Sequence, residues 1–326
     1  MKEALYYEKR DDGRVKCSLC PHNCLIKEGS VGLCGVRKNE KGTLYTQNYA
    51  RISSWGMDPI EKKPLYHFYP GSYIFSVGSI GCNFECRFCQ NWQIAQCTDV
   101  TTMGVMPEEL VKWAMERYGN IGIAFTYSEP LVWYEYVLET ARLAKEKEFK
   151  TAVITNGFIN KEPLEQLLPY VDAMNIDVKA YTDSFYKKHT KGRLAPVLET
   201  VELASKHCHV EVTNLIIPGL NDAEEETESL ADWLAGINPD IPLHITRYFP
   251  NYKLNTPPTP LKTLEKAREI ASQKLNYVYI GNVLGGSTTF CPNCGKPLVK
   301  RNGYVWNGGL KGRRCRDCGE EINIII

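Results

Sequence analysis

The chain has 326 residues, of which 43% are hydrophobic, as is typical of a globular protein with one large domain and small additions. Its 39 Lys and Arg residues nearly balance 38 Asp and Glu residues, which argues against broad, nonspecific nucleic-acid binding but leaves a local basic surface open. No apolar run reaches the ~20 residues that cross a membrane, and residues 1–6 lack the apolar core of a signal peptide. The sequence therefore predicts a soluble, cytoplasmic protein without a membrane partner.

The cysteines are concentrated in two parts of the chain. Of the 13 cysteines, all but Cys208 lie in the N-terminal third or close to the C-terminus. Most of them have the spacing of metal ligands. Metal sites in a reducing compartment are therefore a better interpretation than disulfide bonds.

Residues 1–70 are predicted to form an N-terminal metal-binding segment. Its ligands would be the four thiols of Cys17, Cys20, Cys24 and Cys34. Nearby glycines let the backbone turn around a metal. Zinc would make the segment a structural element, and zinc is modestly favoured on general frequency. Iron or a second cluster would make it an electron relay, and both readings stay open.

A second cysteine group follows an apolar stretch at residues 73–77. Cys82, Cys86 and Cys89 have the spacing C-x3-C-x2-C, which places three soft ligands on one short loop. Such a loop can hold three corners of a cubane cluster and leave the fourth iron open to another molecule. A structural zinc site would normally have four protein ligands, so the odd number favours a cluster that meets a substrate or cofactor.

Strand and helix patterns alternate from residue 71 to residue 287. Serial βα units with parallel strands wind right-handed, so the sheet is expected to curl into a full or partial barrel. The predicted strands are residues 73–77, 121–126, 151–155, 173–178, 210–217, 243–248 and 277–280, and the predicted helices are residues 107–118, 131–149, 161–170, 196–207, 223–235 and 260–275.

Polar side chains recur where these strands end. In parallel α/β barrels the active site lies at the carboxyl ends of the strands, so these residues are predicted to meet there. They are Glu129 after the second strand, Asn156 after the third, Asp177 and Lys179 after the fourth, and Asn214, His244 and Arg247 on later strands.

Residues 288–326 are predicted to form a C-terminal module with its own metal site. Two C-x2-C-G pairs are typical of a zinc ribbon, and a rubredoxin-like iron site has the same ligands: Cys291, Cys294, Cys315 and Cys318. A ribbon is usually a structural element. The basic residues of this tail leave a role in nucleic-acid binding open.

The motif Cys82-x3-Cys86-x-Phe88-Cys89 resembles the signature of the radical S-adenosylmethionine (radical SAM) enzymes. The resemblance implies a TIM-type partial (β/α)6 barrel with a 4Fe–4S cluster and S-adenosyl-L-methionine as cofactors. It also implies reductive cleavage of that cofactor to a 5′-deoxyadenosyl radical, which abstracts a hydrogen atom from a substrate. No residue of the chain is assigned as catalytic.

The resemblance also suggests which residues bind the cofactor. Glu129 stands where the family has a Gly-Gly-Glu-type motif that contacts the methionine amino group, although Tyr127 and Ser128 replace the glycines. Phe88 would pack on the adenine. Asn156, Asp177 and Lys179 are similar to positions that line the pocket of glycyl-radical activases, and His244 completes the predicted set.

Nearly the whole chain resembles the AmmeMemoRadiSam system radical SAM enzymes, which are related to pyruvate formate-lyase activating enzymes. The shared features include residues 59–64, Cys89-Gln90-Asn91-Trp92 and both four-cysteine groups. The resemblance implies Memo-like and Amme-like companion proteins and a reductant such as a ferredoxin or flavodoxin. A protein substrate, an RNA or small-molecule substrate, and a noncatalytic iron–sulfur and zinc scaffold that docks partners remain three alternatives.

Overall fold

A single eight-stranded sheet forms the centre of the computed structural model, which describes residues 1–97 and 99–326. The strands lie side by side in chain order, and β2 to β8 are parallel, whereas β1 runs antiparallel to β2. Their bounds are β1 Ser54–Pro59, β2 Tyr73–Gly78, β3 Asn120–Phe125, β4 Lys150–Thr155, β5 Ala173–Asp177, β6 His209–Ile216, β7 Leu243–Arg247 and β8 Val278–Gly281.

One longer helix lies between each pair of successive parallel strands. These helices are α1 Pro107–Met115, α2 Tyr134–Glu146, α3 Lys161–Leu167, α4 Leu194–Ala204, α5 Glu224–Ile237 and α6 Leu261–Ala271. The start of α1 shows why they form where they do. Pro107 occupies the first turn, where its missing N–H costs nothing, and acidic residues follow it. Shorter helical turns lie at Ile60–Lys62, Trp92–Ala95, Pro130–Val132, Leu168–Tyr170, Asp183–Phe185 and Tyr186–Thr190.

The predicted serial βα architecture is confirmed. The inner strands are apolar on both faces, as expected when helices cover a parallel sheet, and Ile123, Ala124 and Phe125 of β3 are fully buried. In the described part of the chain β1 and β8 do not pair with each other. The sheet is therefore open, which agrees with a partial barrel and not with a closed one.

The edge strand β1 is an element that the sequence did not define. Its last residues belong to a stretch, residues 58–68, in which two prolines bracket a charged triplet, a pattern typical of a constrained loop or a strand entry. In the structure the strand pairs with β2 from Ser54 opposite Gly78 to Pro59 opposite Tyr73. Pro59 is tolerated because it ends an edge strand, where no ladder partner needs its N–H.

The N-terminal segment consists of short antiparallel pairings beside the main sheet. Its strands are Lys2–Glu3, Arg37–Glu40, Thr43–Thr46, Tyr7–Lys9, Val15–Cys17 and Leu25–Ile26, and Arg51–Ile52 pairs with Met103–Gly104. A buried ion pair between Arg37 and Glu135 of α2, 2.9 Å long, ties this segment to the first helices. Because removing one partner of a buried pair leaves an uncompensated charge, a substitution of either residue alone is expected to destabilise the fold.

The C-terminal module shares a hydrophobic cluster with the last strand. Its strands are Ser287–Phe290, Pro297–Arg301, Val305–Trp306, Leu310–Lys311 and Arg314–Cys315. Tyr277 and Tyr279 pack with Leu298, Ile322 and Ile324 in one buried group. The domain boundaries at residues 70 and 287 remain predictions. None of the described helices is long and apolar enough to cross a membrane.

A buried polar network lies within the sheet and contains a residue that was expected at the cofactor site. The carboxylate of Glu211 on β6 accepts hydrogen bonds from the Nε2 atoms of His209 and His244, at 3.0 and 2.6 Å. The backbone N–H of His67 donates to the same carboxylate at 2.7 Å. His244 therefore satisfies a buried carboxylate, and the structure does not bring it to the cavity described below.

The ring of His67 also makes the stability of the fold sensitive to acid. Its Nδ1 lies 2.7 Å from the carbonyl of Asn323, and its Nε2 lies 2.6 Å from the hydroxyl of Tyr279. Burial lowers the pKa of His67 to about 4. In the unfolded chain His67 has the higher pKa of an ordinary histidine, so the unfolded state binds the proton first as the pH falls. The folded state therefore loses stability as the pH falls below the pKa of an ordinary histidine.

Replacing His67 by glutamine should remove this acid sensitivity. When the pH is lowered from 7 to 5.5, protonation of His67 in the unfolded chain should reduce the free energy of unfolding by about 1 kcal/mol. H67Q should lack that loss. The measurement is urea unfolding followed by circular dichroism at both pH values. H207Q changes an exposed histidine and should match the wild type. An equal pH dependence in H67Q and the wild type would contradict this account.

Candidate active site

The carboxyl ends of the parallel strands surround one cavity of about 300 Å³. This is near the lower end of the usual range for ligand pockets, ~300–1,000 Å³. Eight of the residues that the sequence singled out for cluster or cofactor binding line it together: Cys82, Cys86, Phe88, Cys89, Glu129, Asn156, Asp177 and Lys179. The side chains after successive strands therefore converge, as the parallel topology requires.

The loop with the three cysteines begins at a closely packed turn after β2. Gly81 has φ +89°, a conformation that favours glycine, and a Cβ at this position would lie 2.7 Å from the carbonyl oxygen of Cys34. On its other side the loop is bonded to the short helical turn near residue 190, since the N–H of Glu85 donates to Thr190 at 2.8 Å. The loop is thus held from both sides.

Aromatic packing fixes the middle of this loop. The buried ring of Phe84 lies 5.0 Å from the ring of Phe158 and 5.9 Å from that of Tyr186. Gly192 lies against the same ring, and a Cβ there would be 2.3 Å from Cε1 of Phe84. The position of the cysteine loop therefore depends on the absence of a side chain at residue 192.

Replacing Gly192 by alanine should displace Phe84 and the loop with it. Overpacking of this kind costs about 1–3 kcal/mol, and iron content per chain should fall as the cysteines move apart. The measurements are urea unfolding and iron analysis of anaerobically purified protein. Gly236 has no atom near its ideal Cβ, so G236A is the matched control and should bind iron normally. Full iron content and unchanged stability in G192A would contradict this packing argument.

The three thiols fit a polynuclear cluster better than a single ion. Cys82 Sγ accepts from the N–H of Phe84 at 3.3 Å and lies 3.7 Å from Nδ2 of Asn156. Burial raises the pKa of all three thiols, and that of Cys86 to about 12, so their thiolates need a positive partner. The three sulfurs are not all within 4.8 Å of one another. This spacing is wider than the distance between thiolate sulfurs that surround a single metal ion.

The carboxylate of Glu129 is held in a fixed orientation at the end of β3. Its Oε1 accepts from the N–H of Leu131 at 2.9 Å and the hydroxyl of Thr155 at 2.6 Å, and its Oε2 accepts from the N–H of Asn156 at 2.9 Å. Burial raises the pKa of this carboxyl to about 7. Oε2 keeps one acceptor position for a further donor in the cavity.

An ion pair and an aromatic ring form other parts of the cavity wall. Lys179 Nζ lies 2.7 Å from Oδ2 of Asp177. Burial by itself lowers the pKa of Lys179, yet the Asp177 carboxylate holds that pKa above its usual range. Phe88 is nearly buried, and its ring lies 5.9 Å from that of Phe185. The cavity thus has charged, polar and apolar walls within one small volume.

Sequence patterns did not identify the polar contacts of Tyr127, which lies two residues before Glu129. The Asp58 carboxylate accepts from Lys63 at 2.7 Å and from the hydroxyl of Tyr127 at 2.8 Å, and Lys63 also lies over the Tyr127 ring. The only signal in the sequence is the pair of prolines, Pro59 and Pro64, that brackets the charged residues 61–63. Thr155 was also missed, although it directly precedes the predicted Asn156.

The four C-terminal cysteines converge as ligands of one ion. The sulfurs of Cys291 and Cys318 are 3.6 Å apart, those of Cys294 and Cys315 are 3.7 Å apart, and all four lie within 4.8 Å of one another. Tetrahedral zinc with four thiolates would place them about 3.8 Å apart. The predicted ability of this group to bind a metal is confirmed.

The four N-terminal cysteines are arranged differently. They line one cavity together with His22 and Arg37, yet no three of their sulfurs lie mutually within 4.8 Å. The structure therefore brings the predicted ligands to one place but does not close them around a single ion.

Comparisons with known proteins agree with this geometry. A family model described as the Radical SAM superfamily matches residues 77–234. An uncharacterised protein of Methanocaldococcus jannaschii is 47% identical over 337 residues, with 100% of each chain covered. The pyruvate formate-lyase-activating enzyme of Clostridium pasteurianum is 29% identical over 164 residues, which cover 48% of this chain and 67% of that protein. The structure of Streptococcus suis SuiB bound to S-adenosylmethionine has a TM-score of 0.51 at 14% identity, over 63% of this chain and 49% of that chain, and shares the fold.

Proposed function

Because this chain belongs to the radical SAM superfamily and is an enzyme of the radical SAM class, we propose that it abstracts a hydrogen atom from a protein substrate. The superfamily implies a 4Fe–4S cluster and S-adenosylmethionine, and a noncatalytic scaffold is no longer an alternative. The observation that carries the proposal is the convergence of three thiols, Glu129 and the Asp177–Lys179 pair in one cavity.

The thiolates of Cys82, Cys86 and Cys89 would hold the cluster, and the open side of their loop faces the rest of the cavity. When bound, the cluster and S-adenosylmethionine together supply a 5′-deoxyadenosyl radical. The protein contributes position and protection from water. Apolar side chains in the wall, including Phe84, Ile154 and Leu215, limit access of water to the reacting atoms.

The polar residues would orient S-adenosylmethionine. Glu129 would accept a hydrogen bond from its amino group with the free position of Oε2, while Thr155 and the Asn156 backbone keep the carboxylate pointed at the cavity. Asp177 would offer a carboxylate to the ribose hydroxyls, and the ion pair with Lys179 holds that carboxylate in place. Phe88 offers an aromatic face to the adenine, and the Nδ2 of Asn156 faces Cys82.

The protein substrate is supported by the relative named as a pyruvate formate-lyase-activating enzyme, since an activating enzyme acts on another protein. We further propose a one-electron reductant such as a ferredoxin or flavodoxin, and Memo-like and Amme-like proteins as companions. Two basic residues of the C-terminal tail have partners within the protein, since Arg301 is buried over the ring of Tyr66 and Arg314 pairs with Glu321.

We propose zinc at the C-terminal cysteines, within a module of residues 288–326 that follows a barrel of residues 71–287. Replacing Cys294 by serine should then remove about one zinc per chain and lower the melting temperature, because metal binding stabilises such modules. N293S changes the neighbouring exposed residue and should keep its zinc. Metal analysis and calorimetry decide this, and iron in place of zinc in the wild type would contradict the assignment.

Isotope transfer tests the class of substrate. Cell extract uniformly labelled with deuterium is separated into protein, RNA and small-molecule fractions. Each fraction is incubated with the reduced enzyme and unlabelled S-adenosylmethionine. Mass spectrometry should find deuterium in 5′-deoxyadenosine only with the protein fraction, and protease treatment should remove it. Transfer from RNA or small molecules alone would overturn the protein substrate.

A further inference from the structure

The N-terminal cysteines form a group that the proposed chemistry does not use. Four thiols line one small cavity together with His22 and Arg37: Cys17, Cys20, Cys24 and Cys34. Cys17 is buried and the other three are partly covered. None of the four lies in the cavity that holds Glu129 and Asp177, so this is a separate site.

The spacing of these sulfurs distinguishes them from the C-terminal group. The C-terminal sulfurs all lie within 4.8 Å of one another, whereas no three of the N-terminal sulfurs do. A single tetrahedral ion needs the closer arrangement. A polynuclear cluster places iron and sulfide between its thiolates and so spaces them more widely. The same wider spacing occurs in the three-cysteine loop.

A buried cation with free donors faces the same cavity. Arg37 is 1% exposed, and its Nη2 contacts Glu135 and the carbonyl of Leu5. Its Nε and Nη1 atoms have no hydrogen-bond partner among residues 1–97 and 99–326. Buried donors without partners are costly, so their position beside four thiols indicates an anionic group that accepts from them. A cluster with thiolate ligands is such a group.

This site is directly connected to the three-cysteine loop. His22, which lies between two of the N-terminal ligands, donates through Nε2 to the carbonyl of Asn83 at 2.7 Å, and Asn83 follows Cys82. The close contact between the Cys34 carbonyl and Gly81 forms a second link. Since consecutive Cα atoms are about 3.8 Å apart, the Cα atoms of Cys34 and Cys82 lie within about 11 Å of each other.

We propose that Cys17, Cys20, Cys24 and Cys34 bind a second, polynuclear iron–sulfur cluster that passes electrons to the three-cysteine loop. One electron leaves a reduced one-electron donor of the ferredoxin or flavodoxin class, enters the N-terminal cluster and moves on to the cluster at Cys82, Cys86 and Cys89. No atom or proton is transferred in this step. The proposal of a cluster at this site does not depend on the proposed function, whereas the relay role rests on it.

Metal analysis of anaerobically purified full-length protein tests the site. The wild type should contain about eight iron, about eight acid-labile sulfide and about one zinc per chain. A variant with C82A, C86A and C89A should keep about four iron and an electron paramagnetic resonance signal after dithionite reduction. That signal would belong to the N-terminal cluster even if the proposed function fails.

Variants of the N-terminal ligands complete the test. The double variant C20A and C24A should lose about four iron, whereas C208A, which changes a thiol outside all three groups, should lose none. The cluster assignment would be overturned if the wild type held only about four iron per chain and its N-terminal site were empty or held zinc. This result comes from the wild-type protein, so it does not depend on whether a variant folds.

Reduction kinetics test the relay. Stopped-flow mixing with reduced ferredoxin should reduce the cluster at Cys82, Cys86 and Cys89 at least tenfold more slowly in the C20A and C24A double variant than in C208A. Equal rates in the two proteins would overturn the relay role.

Discussion

Replacing Cys86 by alanine is expected to reduce 5′-deoxyadenosine formation to the background of the assay. Cys86 is one of three thiols on the loop after β2, and a cluster cannot keep its site with one ligand missing from a set of three. The measurement is chromatography of 5′-deoxyadenosine after incubation of dithionite-reduced, anaerobic protein with S-adenosylmethionine. Iron content should fall in parallel.

The matched control for this experiment is C208A. Cys208 is also largely covered, but its Sγ contacts the carbonyl of Ala204 at 3.6 Å and lies outside the cavity. C208A should therefore form 5′-deoxyadenosine at the wild-type rate. A C86A protein that retained normal activity would contradict the assignment of the cluster to this loop.

Replacing Glu129 by glutamine is expected to weaken the binding of S-adenosylmethionine roughly 10- to 150-fold, which corresponds to the loss of a charged hydrogen bond of 1.5–3 kcal/mol. The new amide would also direct a donor at the N–H of Asn156, which now donates to the carboxylate. The measurement is the Kd for S-adenosylmethionine by equilibrium binding to the cluster-loaded protein. E108Q changes an exposed carboxylate and should bind like the wild type.

The pH dependence of this affinity gives a second check. Burial raises the pKa of Glu129 to about 7, so lowering the pH through that value protonates the carboxylate and removes its acceptor. Wild-type affinity should therefore fall as the pH decreases from 8 to 6, and it should fall less steeply in E129Q. Identical affinities and pH profiles for the two proteins would contradict the role of Glu129.

The sequence predicted the parts of the structure that depend on short-range patterns. Alternating apolar strands and amphipathic helices identified the order of the parallel sheet, because each βα unit is encoded locally. The cysteine loop was also predictable, since three thiols in C-x3-C-x2-C spacing leave few alternatives. The convergence of Glu129, Asn156 and Asp177 followed from parallel topology alone, because all three lie at the carboxyl end of a strand or within four residues after it.

Features that depend on long-range contacts were not predictable in this way. His244 is predicted at the carboxyl ends of the strands, but it is the second residue of β7, and Glu211 on the neighbouring strand binds its side chain within the sheet. The support of Tyr127 by Asp58 joins residues 69 positions apart in the sequence. Cysteine spacing did not separate a single ion from a cluster at the N-terminal segment. That distinction needs the distances between sulfurs, and it needs Arg37, which no local motif connects to the cysteines.

Cleavage of S-adenosylmethionine in the cavity at the strand ends can be measured on the wild-type protein itself. Wild-type protein is reduced anaerobically, incubated with S-adenosylmethionine and assayed for 5′-deoxyadenosine and methionine together. Both products should form in equal amounts and well above a control without reductant. Protein that holds iron at Cys82, Cys86 and Cys89 but forms neither product would contradict it.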